Sequence, residues 1–231
     1  MIGLGVDGVV LDVDDTLYLE RSYVRSGFEA VGRWLAEQTG IEGFGAVAWQ
    51  LFLDGLRGTT IGDALDRVGA DGSLLGPAVE QYRTHRPDIE LLPDAAAWLA
   101  ALPAHVPVAV VTDGPRASQH AKCEALGLVQ RADRVVVTQD FGTSKPDPRV
   151  FEAAVEGWGI APERLVYVAD NPHKDFLGPA ELGWRSVRVR RPDSLHFSVP
   201  TPEGVAEVSC LDEVVVPASN IRCGESLRGA K

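Results

Sequence analysis

Three carboxylates, Asp12, Asp14 and Asp15, fall within four positions directly after the apolar run Gly8-Val9-Val10-Leu11. Like charges crowded at the end of a buried segment are costly unless a cation or hydrogen-bond donors compensate them. A lone aspartate after a strand reads as a cap for the next element, but crowding of this kind works against a purely structural role. Magnesium is the natural compensator, because it prefers hard oxygen ligands and usually shares its shell with water and the phosphate of a substrate.

Three further polar groups stand at the ends of apolar runs or in the loops after them. They are Thr112-Asp113-Gly114, Lys145-Pro146 behind Gly142-Thr143-Ser144, and Asp170 to Asp175, read Asp-Asn-Pro-His-Lys-Asp. The runs that must position them are β-branched and aliphatic: Gly8 to Val13, Val106 to Thr112, Arg134 to Thr138, Leu165 to Ala169, and Ser186 to Val189 as a fifth. Such runs suit buried parallel strands, with chemistry at their carboxyl ends. Helical patterns lie between them at Asp94 to Leu102, Arg116 to Leu126, Pro148 to Trp158 and Lys174 to Leu182, with Gly127 and Gly183 as stops. Alternation of this kind predicts an α/β fold with a doubly wound parallel sheet.

One stretch breaks the alternation. From about Leu19 to Arg86 no strong strand appears, and apolar residues recur at helical spacing, as in Val24-Phe28-Val31-Leu35 and Ile61-Ala64-Leu65-Val68. We expect an inserted all-helical domain over residues 18–87, a sheet domain over 1–17 and 88–216, and a mobile tail over 217–231, which is turn-rich and aperiodic.

In this context the run DVDDT resembles the DxDx(T/V) signature of the haloacid dehalogenase superfamily, and the later groups follow that family's other motifs in order and strand context. The match spans nearly all of the sheet domain. The resemblance implies that Asp12 is a nucleophile and Asp14 a general acid and base. It places Mg²⁺ on the carboxylates of Asp12 and Asp170 and on the backbone carbonyl of Asp14, with Asp175 as a nearby ligand or orienter. Thr112 and the N–H groups of Asp113 and Gly114 would then bind phosphate, with Lys145 as the fixed cation. The metal would keep Asp12 ionised beside a protonated Asp14. One departure is visible: the last motif begins Ala169-Asp170 where Gly-Asp is usual, a change of one methyl group.

An insertion between the first and second motifs is similar to the helical cap of family members that act on small soluble molecules. The expected function is therefore hydrolysis of a sugar phosphate or nucleoside monophosphate, a small phosphorylated metabolite, through an aspartyl phosphate. A sugar phosphomutase shares all the motifs and stays open as an alternative. A dehalogenase needs no acid at Asp14, and a phosphonatase would usually need a cap lysine, whereas the first lysine is Lys122. Outside the superfamily, a signalling receiver domain or other non-catalytic phospho-accepting module uses similar residues, but chain order counts against a receiver.

Composition narrows the classes further. A formal net charge of −11 disfavours nucleic acid and anionic membrane surfaces. The three cysteines, Cys123, Cys210 and Cys223, form no metal or disulfide pattern. The N-terminal apolar run is too short for a leader or a span, so a cytoplasmic location is expected; oligomeric state is not legible. Among secondary candidates, Tyr18, Glu20, Arg21 and Arg25 enter the insertion beside the site. His85 reads as a surface histidine, His173 as lying outside the ligand set, and Arg185, Arg188, Arg190 and Arg191 as charges that keep an edge strand soluble.

Overall fold

The computed structural model describes residues 1–217, so the expectation for the tail beyond Pro217 lies outside the described residues. The chain opens with β1 (Ile2–Gly3) and β2 (Gly8–Leu11) and then enters four helices, α1 (Glu20–Thr39), α2 (Phe44–Leu53), α3 (Thr60–Arg67) and α4 (Leu75–Thr84). It continues through α5 (Pro93–Ala101), β3 (Val108–Thr112), α6 (Arg116–Ala125), β4 (Arg134–Val137), α7 (Pro148–Ala154) and β5 (Leu165–Ala169). The last elements are α8 (Leu177–Glu181), β6 (Arg185–Val189), β7 (Ala206–Val208) and β8 (Val214–Val215).

Six strands form one parallel sheet in the order β4-β3-β2-β5-β6-β7. β2, β3 and β5 are buried along their whole length, which is why they read as continuous apolar runs instead of alternating ones. β2 sits between β3 and β5, so the chain winds outward in both directions from it. Ligands of open α/β sheets bind at such a switch point, beyond the carboxyl ends of the strands. Those ends carry Asp12, Thr112 and Asp170.

The helices α1 to α4 have an apolar cluster of their own, built on Val31, Leu35, Phe44, Leu51, Phe52 and Leu65, separate from the two clusters on the faces of the sheet. The chain leaves and re-enters the sheet domain at one place, because Leu92 N–H donates to Leu17 C=O at 2.9 Å. Asp15 fixes the exit. Its backbone is left-handed (φ 55°), a conformation that Asp tolerates better than most residues, and its carboxylate accepts the N–H of Glu20 at 2.9 Å and of Leu195 at 2.7 Å. It thereby supplies the capping acceptor that Leu19 lacks for α1.

Several sequence expectations are corrected. β1, β7 and β8 are too short to stand out as runs, yet β7 covers β6, which is therefore not an edge. Arg188 is fully buried and Arg191 nearly so, so neither keeps a strand soluble. Arg188 donates to the carbonyls of Asp170 (2.9 Å), His196 (2.8 Å) and Val199 (2.7 Å), while Arg191 donates to Thr16 C=O (2.9 Å) and pairs with Asp94 (2.8 Å). A guanidinium with five donors is suited to tying loops together in this way. His85 is likewise buried: Tyr82 C=O lies 2.7 Å from its Nδ1, the Tyr23 ring centre lies 4.9 Å away, and burial holds its pKa below the usual value. α7 stops at Ala154, short of Trp158: the Val155 N–H folds back to Glu152 C=O at 3.2 Å, and Gly157 then turns the chain with a φ of 85°.

Gly178, inside α8, shows how closely the layers meet. A Cβ there would stand 2.4 Å from the carbonyl oxygen of Pro146, next to Lys145, and 2.5 Å from the Phe151 ring. Glycine to alanine in a helix ordinarily gains up to ~1 kcal/mol. Here the clash is with backbone, and we expect Gly178→Ala to lower stability by ~1–3 kcal/mol, read from urea unfolding. An unchanged or raised midpoint would refute this packing.

Candidate active site

Asp12 follows β2, is nearly fully buried, and uses both oxygens. Oδ1 accepts the Lys145 ammonium at 2.6 Å and Oδ2 accepts the Thr16 hydroxyl at 3.1 Å. Lys145 also lies 2.7 Å from Asp175 Oδ1 and 3.1 Å from the Tyr167 hydroxyl. Burial works against the charge on Lys145, but Asp12 and Asp175 outweigh it and raise its pKa well above the ordinary value.

One charge cannot balance three. Carboxylate oxygens of Asp12, Asp170 and Asp175 lie within 4.8 Å of one another, all three residues buried. Burial, followed by the neighbouring Asp12 and Asp175, pushes Asp170 up to about 10, and its Oδ2 is buried with no hydrogen-bond partner among the described residues. An orphaned carboxylate oxygen among other carboxylates is the donor set that a hard divalent cation fits. Asp175 is already engaged, since its Oδ2 accepts the Asn171 N–H at 2.9 Å and its Oδ1 faces Lys145.

Asp14 lines the same cleft between the sheet and the helices but has different partners. Its Oδ1 accepts the Tyr18 hydroxyl and the Lys122 ammonium, the latter at 2.7 Å, while Gln119 Nε2 stands 3.4 Å from Oδ2. Burial opposes the charge, yet Lys122 and Tyr18 prevail and hold the carboxyl below its ordinary pKa. Asp12 is raised to about 6, chiefly by burial and against the pull of Lys145. In the protein by itself the two preferences therefore run opposite to the division of an ionised nucleophile and a protonated acid. A cation beside Asp12 and a phosphate dianion beside Asp14 would each shift its neighbour in the required direction.

The remaining sequence candidates gather around the same cleft. Asp113 accepts the Thr138 hydroxyl at 2.5 Å and the Lys145 N–H at 3.1 Å, and pairs with Lys174 at 3.3 Å, so it braces the lysine loop. Gly114 has φ 140°, and a Cβ on it would meet Gln119 Nε2 at 2.6 Å. The Thr112 hydroxyl is fully buried and donates to Gln119 Oε1 at 2.7 Å, so a bond to phosphate would require it to rotate away from that partner. The cleft encloses about 800 Å³. Its roof comes from the helical insertion, with Tyr23, Ile61, Asp63, Leu75 and Val79, and Glu20 stands at the seam. Of the entry residues, Glu20 lines the cleft and Tyr18 binds Asp14, whereas Arg21 pairs with Asp193 at 3.1 Å and Arg25 with Glu29 at 3.1 Å. Sequence reading missed Gln119, Lys122 and Tyr167; the first two sit one turn apart on α6, a spacing that was the available signal.

Residues 6–183 match the family of haloacid dehalogenase-like hydrolases, and the chain belongs to that family. The phosphoserine phosphatase of Thermus thermophilus is 27% identical over 79% of this chain and 88% of its own length. The glyceraldehyde 3-phosphate phosphatase of Methanopyrus kandleri is 30% identical over 80% and 84%. Among solved structures, the putative HAD-hydrolase YfnB from Bacillus subtilis, bound to magnesium, shares the fold with a TM-score of 0.62 at 21% identity, over 90% of this chain and 96% of that one. The chain stands with the phosphatases of the family. No helix among the described residues is long and apolar enough to cross a membrane.

Proposed function

We propose that this phosphoric monoester hydrolase cleaves a small soluble phosphomonoester, a sugar phosphate or nucleoside monophosphate, through an aspartyl phosphate on Asp12. The observation that carries the reading is the Asp12–Lys145 pair beside the orphaned Asp170, at the floor of a cleft roofed by the insertion. The relatives named for phosphoserine and glyceraldehyde 3-phosphate support a small phosphorylated metabolite as substrate.

Asp12 attacks phosphorus while Asp14 protonates the leaving oxygen, and Asp14 then takes a proton from the water that opens the aspartyl phosphate. Lys145 holds Asp12 in line and faces the equatorial oxygens, with Thr112 and the N–H groups of Asp113 and Gly114 as further donors. The carboxylates of Asp12 and Asp170 and the carbonyl of Asp14 would hold Mg²⁺, with Asp175 orienting Lys145 and the Asn171 loop. When bound, the ion neutralises charge that builds up on the transferred group. Residues 18–87 form the cap that excludes water and chooses the substrate, on a core of 1–17 and 88–216.

The test is a panel of sugar phosphates, nucleoside monophosphates, phosphoserine and glyceraldehyde 3-phosphate with phosphate release as the readout. We expect EDTA to abolish release and Mg²⁺ to restore it. Mg²⁺ should also raise the melting temperature of the wild type and leave that of Asp170→Asn unmoved. Full activity in metal-free protein would overturn the magnesium assignment.

A further inference from the structure

Lys122 is contributed by α6 of the sheet domain, and its side chain is 4% exposed. Its ammonium lies 2.7 Å from Asp14 Oδ1 and 4.3 Å from the ring centre of Tyr23, a residue of cap helix α1. A buried ammonium on an aromatic face needs an anion, and among the described residues Asp14 is the one within ion-pair distance. The Tyr18 hydroxyl donates to the same oxygen, so Oδ1 takes two strong donors. Among the described residues Oδ2 receives only the long contact from Gln119, and Asp14 lines the cleft. The two oxygens are therefore not equivalent: one is tied down and the other is left for exchange.

We infer that Lys122, together with Tyr18, is a positioning residue that fixes Asp14 through Oδ1 and presents Oδ2 to the leaving oxygen of the substrate. The inference rests on the acid role proposed above for Asp14. Lys122 lines the cleft, but its ammonium is committed to Asp14 Oδ1 and the Tyr23 ring; in this role it and Tyr18 act by removing the rotational freedom of the carboxyl group, which would otherwise have to be restricted in the transition state. Once the phosphate dianion stands beside Asp14 and offsets the pull of Lys122 and Tyr18, Oδ2 carries a proton taken from solvent; that proton passes to the ester oxygen as the P–O bond breaks, leaving Oδ2 with the electron pair that later accepts a proton from water. The pairing with Oδ1 is kept throughout.

The test compares kcat/KM for phenyl phosphate and 4-nitrophenyl phosphate, since the second leaving group needs little protonation and the first needs much. In the wild type the two values should lie close together. Lys122→Met, which keeps the stem and removes the charge, should lower phenyl phosphate at least ~10-fold more than 4-nitrophenyl phosphate, part of the range general acids supply. Tyr18→Phe, the loss of one hydroxyl, should shift the ratio in the same direction and serves if Lys122→Met does not fold. An equal fall on both substrates would make Lys122 a substrate contact or a structural residue and overturn the inference. Asp14→Asn separates the two levels of argument. If it steepens the ratio while Lys122→Met and Tyr18→Phe do not, the positioning role fails alone; if Asp14→Asn leaves the ratio unchanged, the acid assignment itself fails.

Discussion

Replacing Asp12 by asparagine should reduce turnover by ~10⁴-fold or more on every substrate in the panel, a loss of the size seen when a covalent nucleophile is removed. The amide is a poor nucleophile, and no other side chain can take its place. Asp14 is turned toward Lys122, Asp15 is spent on α1 and the loop at Leu195, and Asp170 and Asp175 belong to the buried acid cluster that would hold the cation. The substitution also removes one carboxylate from around Lys145, so protein that is folded but inactive is the expected result, checked by melting temperature. Asp14→Asn should behave differently on 4-nitrophenyl phosphate. Its first half-reaction needs little acid help, while water activation fails, so a phosphoenzyme should accumulate and be visible by mass spectrometry after quenching. Substantial turnover by Asp12→Asn, or a phosphoryl group mapped to another residue, would disprove the nucleophile assignment.

The parts of this site that were legible in the sequence are those whose signal is local. Asp12, Thr112 and Asp170 each close a β-branched run, and a parallel strand order places such ends side by side whatever the intervening chain does. The helical insertion was legible for the same reason, since a change from continuous apolar runs to a spacing of three and four needs no partner to be seen. What was hidden depends on residues distant in the chain. Lys122 is one lysine on an amphipathic helix until Asp14, 108 positions away, is known to face it. Arg188 in a run of arginines cannot be told from a surface charge until the loop at His196 to Val199 closes over it. His85, in a polar stretch, is buried only because the rings of Tyr23 and Tyr82 meet there. The three shortest strands were missed because two or three residues carry no period.

Lys145→Met should lower both turnover and stability, and the stability loss separates its role from that of a simple phosphate ligand. Its ammonium is wholly buried and touches Asp12 at 2.6 Å, Asp175 at 2.7 Å and Tyr167 at 3.1 Å. Removing it leaves Asp12 and Asp175 unpaired beside Asp170, and breaking a buried pair from one side typically costs ~3–5 kcal/mol. A lysine whose task was only to meet phosphate in an open cleft would cost little when no substrate is present. Lys145→Met/Asp175→Asn should recover part of that stability, because the second change removes an uncompensated charge, while its turnover stays low. The two substitutions should therefore be non-additive in urea unfolding, as residues in direct contact are. Mg²⁺ should stabilise Lys145→Met more than the wild type, since the divalent ion then meets a site with one more uncompensated negative charge. A Lys145→Met protein as stable as the wild type in the absence of metal would mean that the acids are protonated or solvated in the resting enzyme, and that Lys145 is not their structural counter-charge.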